Sequence, residues 1–286
     1  MSMYTKFLLT MVLAVNMGLY AQAGPTWVPQ GNLPYARVIK DIYEIPGTDI
    51  VIAVGQRADG SHEEPSIWRS TDGGHTWSWW GWNFPNHGDD EAIWYTFHQI
   101  SYDTSRNILL STCGGGAGDW QPRTVWYSND YGESWHYVNH PYYLVGDGDA
   151  ASSVILNGKL YVIYEKLIGG TFYDSPILLA LDYYDPNPDN WTWYFVRQYP
   201  QLDINGTHST FWGVLAVKDG KLYVVGKDKN TDAIRIYTYE PSKLEATMQR
   251  IGTVAEMREY WEKLKDGLSN ETPSDSTSAI SGPTTP

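Results

Sequence analysis

An eight-residue pattern occurs twice in this chain, and the spacing between the copies constrains the fold more than any other feature. Residues 70–77 read Ser70-Thr71-Asp72-Gly73-Gly74-His75-Thr76-Trp77, and residues 128–135 read Ser128-Asn129-Asp130-Tyr131-Gly132-Glu133-Ser134-Trp135. Both copies fit Ser-x-Asp-x-Gly-x-[Thr/Ser]-Trp, start 58 residues apart, and follow a short Trp-containing run, Ser66-Ile67-Trp68-Arg69 and Thr124-Val125-Trp126-Tyr127. The chemistry of the pattern is local. An Asp in a turn accepts hydrogen bonds from backbone N–H groups, Gly supplies a positive φ, and Trp packs the turn onto its sheet. Ser70, Asp72, Gly74, Trp77, Ser128, Asp130, Gly132 and Trp135 therefore read as turn-holding residues.

A longer repeat contains these turns. One apolar strand type recurs at 49–54, 107–112, 159–164 and 221–226, with starts 58, 52 and 62 residues apart. Each copy is preceded by another strand across a short turn, and Asn157-Gly158 and Asp219-Gly220 are strong hairpin signals. A third strand follows each copy. Fourth strands are expected at Thr76–Trp80, Ser134–Val138 and Trp191–Phe195, but the last unit has none, because Pro241 follows its third strand. Four strands per unit is the blade of a propeller. The leading Thr26-Trp27-Val28 offers the missing strand and would remove the open edge. The expected fold is all-β: a four-bladed β-propeller over residues 24–241, closed by the N-terminal strand. A partial ring completed by a partner chain is the alternative.

The termini read differently. Lys6, an apolar run from Phe7 to Tyr20 and Ala21-Gln22-Ala23 form a removable signal peptide over residues 1–23, so the mature chain is expected to be secreted or at the extracellular surface, without a membrane span. Residues 242–268 carry apolar residues at helical spacing (Met248, Ile251, Val254, Met257, Trp261, Leu264) and are expected to form a C-terminal helix that packs on the propeller or meets a partner. Residues 269–286 are rich in Ser, Thr and Pro and read as a disordered tail. Sequons at Asn190, Asn205 and Asn270 permit N-glycosylation. Cys113 stands alone, so no internal disulfide forms, and the 14 Trp and 22 Tyr must supply the core. A net charge of −13 argues against nucleic acid and anionic lipid as partners.

The paired eight-residue motif resembles the Asp-box of bacterial-neuraminidase-type (BNR) repeats, found in sialidase-like β-propellers. Only the first two units keep it cleanly. The third has an elongated turn at Asp182–Asn190, and the fourth has no such turn. Sialidase membership would imply six blades, an arginine triad, a Tyr/Glu nucleophile pair, an Asp acid/base and an early Arg-Ile-Pro motif. The nearest match, Tyr35-Ala36-Arg37-Val38-Ile39, lacks the Pro, and nothing assigns Arg37, Arg57 and Arg123 to a triad.

Strand parity selects a working face. In an up-and-down blade the first-to-second and third-to-fourth turns share one face, and these are mostly short. Connections at 55–66, 113–123, 165–176 and 226–232, with 29–37, 81–93, 139–150 and 198–210, lie opposite and are long. Long loops on a rigid scaffold carry function. The candidate ligand-binding residues on them are Arg57, Trp82, Asp89, Asp90, Glu91, Trp120, Arg123, Tyr142, Tyr143, Asp147, Asp149 and His208. Aromatic planes mixed with carboxylates suit sugars, so the expectation is a non-catalytic propeller that binds a glycan or a cell-surface protein. Two other readings stay open: a glycoside hydrolase using two carboxylates roughly 5–10 Å apart, or a structural component of an envelope or virion. No catalytic residue is assigned and no cofactor is expected, although Asp89-Asp90-Glu91 and Asp147-Gly148-Asp149 offer oxygen ligands to Ca²⁺. Gly114–Gly118 lacks the Lys-Ser/Thr of a phosphate-binding loop.

Overall fold

The computed structural model describes residues 31–59, 62–80, 96–114, 124–146, 150–168, 171–199, 202–203, 214–228, 230–231 and 233–268. The expected signal peptide, the strand at Thr26–Val28 and the Ser/Thr/Pro tail lie outside them. Within the described residues the chain is all-β, with antiparallel sheets and few helices.

The first sheet is β1 (Ala36–Glu44), β2 (Val51–Asp59), β3 (His62–Ser70) and β4 (Ser78–Trp80), in that order. The second repeats the order with β5 (Phe97–Asp103), β6 (Ile108–Cys113), β7 (Val125–Ser128) and β8 (His136–Val138). A short helix, α1 (Tyr142–Val145), leads into the third: β9 (Ala150–Leu156), β10 (Lys159–Ile168), β11 (Thr171–Asp182) and β12 (Thr192–Gln198). In the fourth, β13 (Leu202–Asp203) and β14 (Val214–Lys218) pair successive parts of β15 (Lys221–Asp228), and β16 (Ile234–Tyr239) pairs β15 as well. The two hairpin signals are built as expected: Asn157 and Gly158 take φ of 49° and 72°, and Asp219 and Gly220 take 50° and 68°. Two consecutive positive φ values give the turn whose twist matches its flanking strands.

Successive first strands pack on one another, β1 with β5, β5 with β9 and β9 with β14. Three buried layers result. Ile52, Val54 and Ile67 meet Phe97, Ile100, Leu109 and Trp126 between the first two sheets. Leu110, Val125 and Val138 meet Leu160, Val162, Leu179 and Trp193 between the second and third. Tyr161, Ile163, Leu178 and Ala180 meet Leu215, Leu222 and Val224 between the third and fourth. Neighbouring residues of one strand, such as Leu160 and Tyr161, enter opposite layers. The middle sheets are buried on both faces, which is why their strands read as unbroken apolar runs.

Polar clips, partly or fully buried, join the sheets at the first strands. Asp41 Oδ2 accepts from the Ile100 amide at 3.0 Å, and Gln99 Oε1 accepts from the Ser153 amide at 2.9 Å and from Ser152 Oγ at 3.0 Å. Ser152 Oγ in turn accepts from the Leu215 amide at 3.1 Å. These contacts set the register of each sheet on the next, because a slip would strand buried donors.

Two expectations are corrected. The connections 55–66 and 165–176 are largely strand: β2 and β3 stay paired out to Asp59↔His62, and β10 and β11 out to Ile168↔Thr171. Polar residues made them read as loop, but a hairpin that leaves its sheet satisfies its own backbone. Likewise 242–268 is not one helix. It forms α2 (Pro241–Glu245), a further strand β17 (Gln249–Thr253) that pairs the outer edge of β12, and α3 (Val254–Leu268). The exposed ladder of β12 competes for this segment and wins it, and a capping box then starts the helix: Thr253 Oγ1 accepts from the Glu256 amide at 3.1 Å, and Glu256 Oε2 accepts from the Thr253 amide at 2.6 Å. From there the periodicity holds, with Val254, Met257 and Trp261 buried.

Candidate functional site

On one face lie the two Ser-x-Asp-x-Gly turns, and their hydrogen bonds account for the fixed Ser, Asp, Gly and Thr/Ser positions. In the first, Ser70 Oγ donates to Asp72 Oδ1 at 2.7 Å and accepts from the Gly74 amide at 2.8 Å. Asp72 then accepts from the Thr76 amide at 2.8 Å and from Thr76 Oγ1 at 2.6 Å. In the second, Ser128 Oγ bridges Asp130 (2.7 Å) and the Gly132 amide (2.8 Å), and Asp130 accepts from Ser134 N and Oγ at 3.0 and 2.5 Å. Gly132 has φ 81°, and a Cβ there would lie 2.7 Å from the Ile52 side chain of the first sheet. Arg69 of the first sheet donates to the Tyr131 carbonyl at 2.8 Å, so the turn also clips one sheet to the next. These hydrogen bonds hold the Asp72 carboxyl well below the ordinary carboxylate range. Burial pushes the Asp130 carboxyl up, but the bonds from Ser134 and Ser128 outweigh it and keep it low. All these oxygens hydrogen-bond within the turn, which they brace.

The connections selected from the sequence leave the other ends of the strands. Trp82, Asp89, Asp90, Glu91, Trp120, Arg123, Asp147, Asp149 and His208 lie outside the described residues, and with them both Ca²⁺ candidates. Among the described residues no cluster of three or more His, Cys, Asp or Glu is placed to hold a metal, and no helix is long and apolar enough to cross a membrane. The three described candidates are engaged in packing. Arg57 is buried, its guanidinium 3.8 Å from the Trp79 ring centroid and 5.6 Å from that of Tyr35. Tyr142 stands 4.8 Å from the Trp261 ring of α3, and Tyr143, half-exposed, lies 5.3 Å from Tyr260. The aromatics of α1 thus anchor the C-terminal helix.

A buried polar chain at the root of these connections has no counterpart in the sequence reading. His140 Nε2 is 3.1 Å from the Gly146 carbonyl and must donate to it, since a carbonyl only accepts. Nδ1 of the neutral ring then accepts from Thr124 Oγ1 at 2.9 Å, and Thr124 Oγ1 accepts from the Tyr164 hydroxyl at 2.9 Å. One tautomer and one proton direction satisfy all three groups. Burial pushes His140 down to about 4, against a weaker opposing pull from the Gly146 carbonyl, so the ring is neutral near pH 7. It is 1 % exposed and the chain contains no carboxylate, so it fixes the stems of the 113–124 and 139–150 connections and is closed to substrate. A lone His and Thr 16 residues apart give no sequence signal; only packing of β10 against these stems brings Tyr164 to them. Cys113 is likewise buried.

No family model matches this sequence, and no curated protein matches it. Several solved structures are similar to it. The phage phi92 endosialidase aligns at 14% identity with a TM-score of 0.43, over 83% of this chain and 36% of that one. A Trypanosoma rangeli sialidase in complex with a difluoro-KDN aligns at 14% identity with a TM-score of 0.29, over 80% of this chain and 47% of the sialidase. A glycosyl hydrolase from Bacteroides ovatus aligns at 11% identity with a TM-score of 0.26, over 72% and 83%. The chain thus spans about a third of the endosialidase and about half of the sialidase.

Proposed function

We propose that this chain is an exported, non-catalytic Asp-box propeller that binds a glycan or a cell-surface protein through the long connections opposite its Ser-x-Asp-x-Gly turns. One observation carries the reading: the asymmetry between the two faces. The first-to-second connections and the two Ser-x-Asp-x-Gly turns are short and closed by their own hydrogen bonds. The sheet-to-sheet connections 81–96, 139–149 and 199–213 are much longer and spring from strands clipped together at their roots. A rigid body with variable length on one side is how scaffolds present recognition loops.

In this reading the four sheets are four successive blades, and Thr26-Trp27-Val28 pairs the outer edge of β16 to close the ring. The support is that β16 has a partner only on its β15 side among the described residues. An unpaired edge of this length invites aggregation unless something covers it.

The test is a glycan array probed with the mature chain from Gly24, run beside fluorogenic sialosides and other aryl glycosides. Retention of at least one glycan class without release of fluorophore is expected. Turnover above the uncatalysed blank overturns the non-catalytic reading. Cell binding that survives enzymatic removal of surface glycans assigns the partner as protein.

A further inference from the structure

A cavity of about 250 Å³ opens on the turn face, between the second and third sheets, on the side away from the long connections. Its walls are aromatic: Tyr127 from β7, Trp191 just before β12, and Tyr184 from the elongated turn of the third sheet. Tyr127 and Trp191 pack at 4.8 Å between ring centroids, and both line the cavity. Tyr184 is 77% exposed, an unusual position for a Tyr whose ring faces a cavity. Polar groups stand at the rim. Asn129 sits at the free position of the second Ser-x-Asp-x-Gly turn, exposed, and Asp185 lines the same cavity from the third sheet.

The walls are fixed before any ligand arrives. The Asp182 carboxylate accepts from the Tyr184 amide at 3.1 Å, Asp185 accepts from the Asn187 amide at 2.8 Å, and Trp191 Nε1 donates to the Asp185 carbonyl at 2.8 Å. Arg106 reaches across from the second sheet, donates to the Gly158 carbonyl at 3.0 Å, and lays its guanidinium 4.8 Å from the centroids of both Tyr183 and Tyr184. Preorganised walls spare a ligand the cost of ordering them.

Charge narrows the ligand class. Arg106 covers one face of the Tyr184 ring and its charge repels a cation, while Asp185 opposes an anion. What remains is a neutral, ring-shaped, hydroxyl-rich molecule, with one apolar face for Tyr184 and hydroxyls for the Asn129 amide and the Asp185 carboxylate. The geometry points to this cleft as a second carbohydrate site, sized for one neutral pyranose and independent of the long-connection face.

The experiment is saturation-transfer NMR on the mature chain with methyl glycosides of glucose, galactose, mannose and N-acetylglucosamine at millimolar concentration, followed by titration of the best probe. Transfer to at least one pyranoside is expected, with perturbation of the Asn129 side-chain amide. Tyr184→Ala and Asn129→Ala, both exposed and so harmless to folding, should each weaken that binding about tenfold, roughly 1.4 kcal/mol. No transfer from any of the four glycosides overturns the assignment. So does binding that both variants leave unchanged, or capture of a proline-rich peptide in place of sugars. Glycan-array binding that persists in Tyr184→Ala belongs to the opposite face, so the two readings fail separately.

Discussion

His140 and Asp130 are held by opposite means, and acid tests them in different ways. The ring of His140 is neutral in the folded protein down to about pH 4, whereas in the unfolded chain it protonates near 6.5. Between those values the unfolded state binds the extra proton, so stability falls as pH falls through that window. The loss attributable to this residue between pH 6.5 and 5 is about 2 kcal/mol. Urea midpoints at the two pH values measure it, and His140→Gln is expected to flatten the slope while lowering stability at pH 7. Asp130 stabilises as the carboxylate, so its contribution is present above the unfolded carboxyl range and is lost as acid protonates it. Asp130→Ala removes three hydrogen bonds at a partly exposed turn and is expected to cost about 2 kcal/mol in chemical denaturation. Asp130→Asn should recover part of that, since an amide oxygen still accepts.

The C-terminal elements depend on two residues that decide where strand yields to helix. Thr253 ends β17 and caps α3, so Thr253→Ala is expected to cost about 1 kcal/mol and to fray the first helical turn, read by amide exchange at Ala255 and Glu256. Gly252 pairs Trp193 in the ladder, and a Cβ there would lie 2.7 Å from both the Met257 methyl and the Glu256 carboxylate. Gly252→Val should therefore displace the Met257 methyl and the Glu256 carboxylate that caps α3, lowering stability and fraying the first helical turn as Thr253→Ala does. The capping pattern Thr253-Val254-Ala255-Glu256 is legible in the sequence and marks the true helix start. The strand before it is not, because its partner β12 lies more than 50 residues away.

At the scale of the whole molecule the open question is how the end sheets are covered. The face of the fourth sheet turned away from the third carries Val214, Val225 and Ile236 directly across from one another on three strands, with Ala216 and Tyr223 beside them. Val214 and Ile236 are 45% and 63% exposed. If Thr26-Trp27-Val28 pairs β16 as proposed, the outward amides of β16 exchange slowly in the chain from Gly24. Deleting residues 24–31 is then expected to release that protection by at least tenfold and to promote self-association through the bared edge. Unchanged exchange after the deletion would sink the closure.

Four units, their first and second strands, the two Asn-Gly and Asp-Gly hairpins and both Ser-x-Asp-x-Gly turns are determined by the sequence alone. Each rests on residues within a few positions of one another, and φ signs and side-chain capping are local properties. Tertiary structure decided what depends on distant partners: the extended hairpins at 55–66 and 165–176, the edge strand Gln249–Thr253, the burial of Arg57 and the packing of Tyr142 on Trp261. It also assembled the chain from Tyr164 to His140 and the aromatic cleft between the second and third sheets. An unpaired edge or an uncovered ring has no preferred fate until another segment arrives beside it, and which segment arrives is settled by the packing of whole sheets.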